Sequence, residues 1–490
     1  MRISSDRDKN MNYKMIARVL GMVLVCLACL MILPIVTGFY YGETDAVSAF
    51  ICVAAVTAFL GYICLRAKPE STELYAREGF AAVGLVWISV ALLGSLPFYL
   101  SGDVPVFVDA LFESVSGFTT TGATVLKDIE AMSRSCLLWR LFSQWIGGMG
   151  VLVFMLAVMP MSGEHSMHIM RAEFPGPAVG KLVPRARQTA LILYLIYIGL
   201  TVLSMLAYKL SGISWYEALV HAFATAGTGG FSTRNGSLGA FGSLGIEMTA
   251  SVFVLLFSIN FNVYYCFLVR RTKAALKSEE LRWFFAIIAF GVLTIALNLR
   301  GYYGSFMTAL RHAFFNTSMS ISTTSFSVAD YTKWPQYSQL MLMLLMLIGG
   351  CAGSTCGGLK LSRFMVLIKS AASDLKGMVH PRSVNPVQID GRRMKPEAVR
   401  AIQNYFFIYM MIIFVCTLLV SLDGFDAATN FSSALACLSN IGPGLGINGP
   451  YGDYSMFSPL SKMVLALVML LGRLELYPLL ALAAPSTWKK

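Results

Sequence analysis

Charge is what this sequence has least of. Asp, Glu, Lys and Arg make up 13% of its 490 residues and hydrophobic side chains 56%, whereas soluble domains carry about a quarter charged residues. With a mean hydropathy of +0.66, an ordinary soluble globular protein is excluded and a polytopic membrane protein remains. Histidine is also scarce, at five dispersed copies, so a membrane enzyme, which needs clustered His, Asp or Glu on facing helices, is disfavoured. A secondary transporter coupling a solute to protons or sodium needs buried carboxylates at mid-span, and the clear mid-span ion here is Arg473. The ten cysteines stand singly, Cys26, Cys52, Cys266 and Cys416 among them, and read as reduced core residues without a disulfide framework. Cys351 and Cys356 have no third or fourth ligand nearby and read as packing residues. No small-x-small site follows the first apolar run, so no cleaved signal is expected.

What is present is long apolar runs. Ten spans are expected, at 15–37, 47–65, 79–100, 137–160, 189–208, 247–269, 283–299, 338–350 continuing past a polar break, 402–422 and 459–484. The net charge of +12 is no sign of nucleic-acid binding, because 28 of the 38 Lys and Arg residues fall in 2–18, 66–77, 171–187, 270–282, 360–400 and 489–490. Those segments share one face under the span count, which makes that face, with both termini, cytoplasmic. The opposite loops carry Glu43, Asp45, Asp103, Asp109, Asp128, Glu130, Asp330 and Asp453, either a cation-concentrating rim or an ordinary solvated surface.

One pattern recurs four times. Ala110, Ala218, Ala313 and Asn430 each lie in a short semi-apolar helix candidate, and twelve residues later stand Gly122, Gly230, Ser325 and Gly442. The pentads there are Thr120-Thr121-Gly122-Ala123-Thr124, Thr228-Gly229-Gly230-Phe231-Ser232, Thr323-Thr324-Ser325-Phe326-Ser327 and Asn440-Ile441-Gly442-Pro443-Gly444. They sit where a potassium channel carries its carbonyl-lined filter. Turning successive carbonyls to one axis needs alternating backbone hands, which glycine adopts without steric cost, and a short helix in front directs its negative end at a cation. The expected fold is all-α: two extra N-terminal transmembrane helices in 1–67, then four helix–pore loop–helix repeats in 68–165, 166–275, 276–380 and 381–490 around one pseudo-fourfold pore.

Other motifs qualify this plan. Gly349 to Gly358 interrupts the last span of the third repeat with small flexible residues, and non-helical backbone at membrane depth survives only inside protein or beside water. Gly350, Gly353, Ser354, Thr355, Gly357 and Gly358 therefore read as a movable gate, with a plain helix end as the alternative. Arg473 lies well inside an apolar span, at a cost of about 2.5–3.5 kcal/mol, so it should face the pore or a carboxylate other than Glu475, two residues away on another face. Asn260 and Asn262 either line the pore or join helices. His221 reads as a helix-face partner of Glu217 or as a cap, and His165 and His168 as part of a solvated cytoplasmic loop. The basic stretch 371–400 is either a topology anchor or a docking face. A purely structural assembly protein leaves the four loops unexplained.

Six ordered motifs together resemble the Trk/Ktr/HKT superfamily of potassium transporters, most of all its TrkH/TrkG branch: Ser116–Thr124, Gly229–Thr233, Val328–Tyr331 with Trp334-Pro335, Gly353–Gly358, Asn440–Gly446 and Gly472–Glu475. The resemblance runs from about residue 12 to the C-terminus. It implies potassium uptake across the bacterial inner membrane by a homodimer with one pore per subunit, under a cytoplasmic nucleotide-binding ring of TrkA type. It also implies a potassium-binding filter at Gly122, Gly230 and Gly442, a gate loop at 350–358, a constriction at Arg473, and no covalently bound cofactor. Sodium permeation or cation-coupled symport within the same superfamily is the alternative. The family usually keeps glycine in all four loops, so Ser325 is a departure, expected to strain the third quarter if left-handed, with potassium favoured over sodium by a modest margin.

Overall fold

The computed structural model describes residues 11–69, 76–150, 186–268, 278–383 and 385–485. The described residues are mostly helical, with one small hairpin pairing Gln388–Ile389 with Arg392–Arg393. Six helices are long and apolar enough to cross a membrane, or seven with one bent pair. They are Tyr13–Tyr41, Thr44–Leu65, Arg77–Leu100, Ala190–Leu210, Glu279–Tyr303 and Pro396–Asp423, and the pair is Leu244–Ser258 with Phe261–Leu268. The chain is therefore a membrane protein, and its lipid-facing side chains explain exposed residues such as Phe39, Leu195, Phe290 and Phe414.

Four shorter helices lie between these spans: α5 (Phe107–Phe118), α8 (Trp215–Ala226), α12 (Phe306–Ile321) and α16 (Ala427–Leu438). At 1.5 Å per residue the three twelve-residue helices reach about 18 Å and the sixteen-residue α12 about 24 Å, short of the ~30 Å hydrocarbon core. Their C-terminal halves are buried, as Ser116, Thr225, Ser320 and Cys437 illustrate. Ser214 and Asp426 cap two of them at the N-terminus by accepting the Glu217 and Thr429 amides.

The apolar runs that follow the short helices are not continuous helices. The first, α6 (Arg134–Gly148), ends before Gly150 at φ +81°; residues 151–185, with His165 and His168, lie outside the described residues. The second bends by 85° between α9 (Leu244–Ser258) and α10 (Phe261–Leu268). The third runs as α13 (Gln336–Ile348), an irregular stretch, and α14 (Leu361–Val379). The fourth breaks between α17 (Pro459–Arg473) and α18 (Tyr477–Ala483), where Glu475 and Leu476 take positive φ. Hydropathy predicts one interrupted span, yet the first helix ends at Gly148 and the other three runs are all broken, because Ile259-Asn260 and Leu474 to Leu476 carry no glycine to signal two of the breaks. The aqueous edges are tied down by Glu43, which accepts the Arg134 and Ser135 amides at 2.6 and 2.9 Å, and by Asp103 against the Ser133 hydroxyl at 2.6 Å. These carboxylates of the acidic rim are helix braces.

Candidate functional site

The four short helices end in one and the same way. Thr120, Thr228, Thr323 and Asn440, each ten residues past the repeat's reference position, have φ of 56°, 52°, 54° and 54°. The next amides reach back five residues: Thr121 to Ser116, Gly229 to Ala224, Thr324 to Met319 and Ile441 to Ala436, all at 2.8–2.9 Å. This is the Schellman cap, whose left-handed position is usually glycine. Threonine there costs roughly 1–2 kcal/mol, tolerated where surrounding contacts over-determine the turn. Sequence reasoning placed the left-handed positions two residues later and missed these four.

Two residues on, Gly122, Gly230 and Gly442 take φ of 77°, 77° and 91°. Ser325 does not join them: it is absent from the positive-φ residues, so the expected strain at the third loop does not arise. Its hydroxyl instead donates to the Gly229 carbonyl at 2.6 Å. The loops meet closely. A methyl on Gly122 would lie 2.0 Å from Ser325 Oγ and 2.1 Å from Gly229 O, one on Gly230 2.3 Å from Ser325 N, and one on Gly442 2.7 Å from Thr121 O. A cavity of ≈ 120 Å³ opens above this meeting point, lined by Gly122, Ala123, Gly230, Phe231, Ser325, Gly442 and Pro443, with Asp453 at its edge. The side chains of Phe231, Phe326 and Ile441 are buried away from water.

Each loop is bonded to the next, and the circle closes. Asn235 joins the second to the first through the Ile129 amide at 2.7 Å, and the Gly239 amide reaches Ser327 O at 3.0 Å. Tyr331 Oη donates to Gly444 O at 3.2 Å, and the Tyr454 amide to Thr124 O at 2.8 Å. Ion pairs, each with at least one buried partner, flank the ring. Arg140 meets Glu113 at 2.5 Å, Lys462 meets Asp109 at 2.7 Å, and Arg311 grips Glu247 with two bonds of 2.7 and 2.6 Å. His221 bonds the Glu217 carbonyl at 2.8 Å and Ser232 Oγ at 3.0 Å, and sits 3.4 Å from the Glu217 carboxylate, the helix-face pairing expected of it. Arg473, the mid-span ion that the sequence singles out, is only half-buried, whereas Glu113, Glu217, Glu247, Arg140, Lys360 and Lys462 are buried. Hydropathy averages hide ions that pair across helices.

The irregular stretch 349–360 lies below the loops. Gly349, Gly353 and Gly358 take positive φ, as does Lys360 at φ 75°. Its backbone groups find partners across the fold: Cys351 N to Ser258 O at 3.1 Å, Ala352 N to Glu280 Oε1 at 2.7 Å and Gly357 N to Thr323 Oγ1 at 2.7 Å. Ser354 Oγ donates to Cys351 O at 2.6 Å, and Lys360 Nζ folds back onto the Cys356 carbonyl. On Gly350 a methyl would lie 2.7 Å from Cys356 Sγ, and on Gly357 2.2 Å from Ser439 O. Asn260 sits in the 85° bend, accepting the Asn262 amide at 2.9 Å with Gly353 opposite, a turn residue rather than a mid-helix amide.

Arg473 donates to Thr355 O at 2.8 Å, Gly148 O at 2.6 Å and Gly147 O. It therefore joins the irregular stretch to the end of α6, where unpaired helix carbonyls favour a cation. Glu475 pairs with Arg363. A cavity of ≈ 30 Å³, room for about one water, is bounded by Gly148, Gly353, Ser354, Gly357, Lys360, Asn440 and Arg473. Among the described residues no three His, Cys, Asp or Glu side chains cluster as metal ligands, and Cys356 Sγ bonds Ser258 Oγ at 3.0 Å.

Known proteins share this sequence and fold. A family model described as TrkH, cation transport protein, matches residues 44–490. The Trk system potassium uptake protein TrkH of Halomonas elongata is 35% identical over 98% of this chain and 100% of its own. TrkG of Escherichia coli, likewise named a Trk system potassium uptake protein, is 31% identical over 97% and 99%. The crystal structure of the potassium transporter TrkH from Vibrio parahaemolyticus superposes with a TM-score of 0.87 at 32% identity, covering 98% of this chain and 100% of that one. Matched along nearly its whole length in sequence and in fold, the chain belongs to the TrkH family of cation transport proteins and is a membrane transporter, not an enzyme.

Proposed function

We propose that this chain is the ion-conducting subunit of a potassium uptake system. The observation that carries the reading is the meeting of four loops built on one plan, each capped by a left-handed residue and bonded to the next. Backbone carbonyls in such a ring replace the water shell of a dehydrated cation, and four helix C-termini lower the potential beneath it. Thr120 to Ala123, Thr228 to Phe231, Thr323 to Phe326 and Asn440 to Pro443 form the filter, with potassium as the ion held there. Gly350, Gly353, Ser354, Thr355, Gly357 and Gly358 form the gate, and Arg473 is the latch that holds it shut through the Thr355 carbonyl. Residues 68–165, 166–275, 276–380 and 381–490 are the four pore units, and 1–67 the added helix pair.

The relatives are named as parts of a Trk system, which supports partner subunits; our reading of the assembly is a homodimer in the bacterial inner membrane, both termini cytoplasmic, opened by a nucleotide-binding ring of TrkA type. The nucleotide belongs to that partner. Partial sodium permeation is the second reading, favoured by the Ser325 hydroxyl, which occupies the Gly229 carbonyl.

Flux of potassium, rubidium and sodium into proteoliposomes at matched gradients tests the proposal. Flux favouring potassium and rubidium, lost in Gly442→Asp, supports it. Absence of flux for every alkali cation with the nucleotide-loaded ring added overturns it.

A further inference from the structure

We infer that the buried pair Arg140–Glu113 is a specificity-determining strut that sets cation discrimination by fixing the first and second loops against each other. This rests on the reading of those loops as a filter. Both side chains are almost fully enclosed, at 1% and 0% exposure. Glu113, on α5, takes Arg140 Nε at 2.5 Å and also accepts the Thr124 hydroxyl at 3.0 Å and the Val125 amide at 3.1 Å. Arg140, on α6, sends its other arm to the Ser232 carbonyl at 3.0 Å and lays its guanidinium 3.5 Å from the centre of the Phe231 ring. One turn further along α6, Gln144 Oε1 accepts the Phe231 amide at 3.1 Å.

The register makes this more than local packing. Thr124 and Ser232 are equivalent, each two residues past the left-handed glycine of its loop, so one ion pair holds the same rung in two quarters. The helix position of Glu113 is filled by His221, Asn316 and Ser433 in the other three units. His221 grips Ser232 again through its hydroxyl at 3.0 Å, Asn316 bonds its own helix at His312 O, and Ser433 takes the Asn448 amide at 2.7 Å. The ionic anchor therefore serves only the first and second loops. A buried ion pair is weak support for stability, since apolar replacement is often neutral. Its forked, directional bonds to a carboxylate and a carbonyl do hold backbone position. A carbonyl cage that drifts by a fraction of an ångström loses its preference between ions of different radius.

The test uses full-length protein in proteoliposomes, reading the potassium-to-sodium flux ratio alongside maximal potassium flux and thermal unfolding. Arg140→Lys keeps the charge and loses the fork; Glu113→Gln keeps one acceptor oxygen, within reach of both Thr124 and Val125 at the Oε2 position, and loses the charge. Each should lower the flux ratio by roughly tenfold, the effect of one such bond. Thr124→Val and Phe231→Leu, milder changes in the same contacts, should lower it by less and keep the protein folded if the charged variants fail to accumulate. An unchanged ratio in every variant that assembles, with only flux or unfolding temperature reduced, overturns the inference and leaves the pair as packing. Wild-type protein that passes both ions equally overturns the filter reading and this inference with it.

Discussion

Arg473 Nη1 lies 2.8 Å from the carbonyl oxygen of Thr355. Through this bond the last long helix holds the irregular stretch of the third unit, and through Gly147 and Gly148 it holds the end of α6 as well. Three segments far apart in sequence thus converge on one guanidinium.

Arg473→Ala removes the charge and all three bonds. Charged hydrogen bonds contribute about 1.5–3 kcal/mol each, and the stretch 350–358 should be released. Potassium flux without the cytoplasmic partner should rise at least tenfold, read as rubidium uptake into vesicles; unchanged uptake counts against the latch. Arg473→Lys should fall between, because an ammonium lacks the planar fork.

Glu280 accepts the Ala352 amide at 2.7 Å, and its neighbour Glu279 binds Lys369 and takes the Asp390 amide at 3.3 Å. Adjacent residues thereby link the hairpin at 388–393 to the irregular stretch. Glu280→Ala should strand the Ala352 amide, at about 1–3 kcal/mol, and speed hydrogen exchange at 350–358. Exchange unaltered there, measured by mass spectrometry, rules out the link.

Gly122→Ala places a methyl 2.0 Å from Ser325 Oγ and 2.1 Å from a carbonyl, at φ +77°. Flux should be abolished while membrane insertion and yield stay near wild type. Ser325→Gly removes the bond to Gly229 O and should raise the potassium-to-sodium ratio; equal permeation of both ions in this variant and in wild type contradicts the assignment.

Glu247 and Arg311 join α9 to α12 through two bonds, with Glu247 buried. Glu247→Gln should lower stability by roughly 1–3 kcal/mol, seen as a lower unfolding temperature in detergent with ion selectivity retained. A selectivity change would place this pair in the filter's support as well.

Much of this protein is determined by its sequence alone. Apolar runs too long for a soluble core and a pattern recurring at offset twelve set the class, the number of short helices and the residues where the four loops meet. Those properties are local: hydropathy and glycine placement act within about a dozen residues. Tertiary structure decided the rest. It put left-handed backbone on Thr120, Thr228, Thr323 and Asn440, which no single-residue preference signals, because the strain is offset by Schellman bonds and burial. It relieved Ser325 of the strain expected of it by turning its hydroxyl onto another unit's carbonyl. It broke the second spans of the last three units, and it paired Arg140 with Glu113, Glu247 with Arg311 and Lys462 with Asp109 across helix boundaries. An ion in an apolar segment reads as a cost until its partner is known, and the partner is chosen by packing in three dimensions.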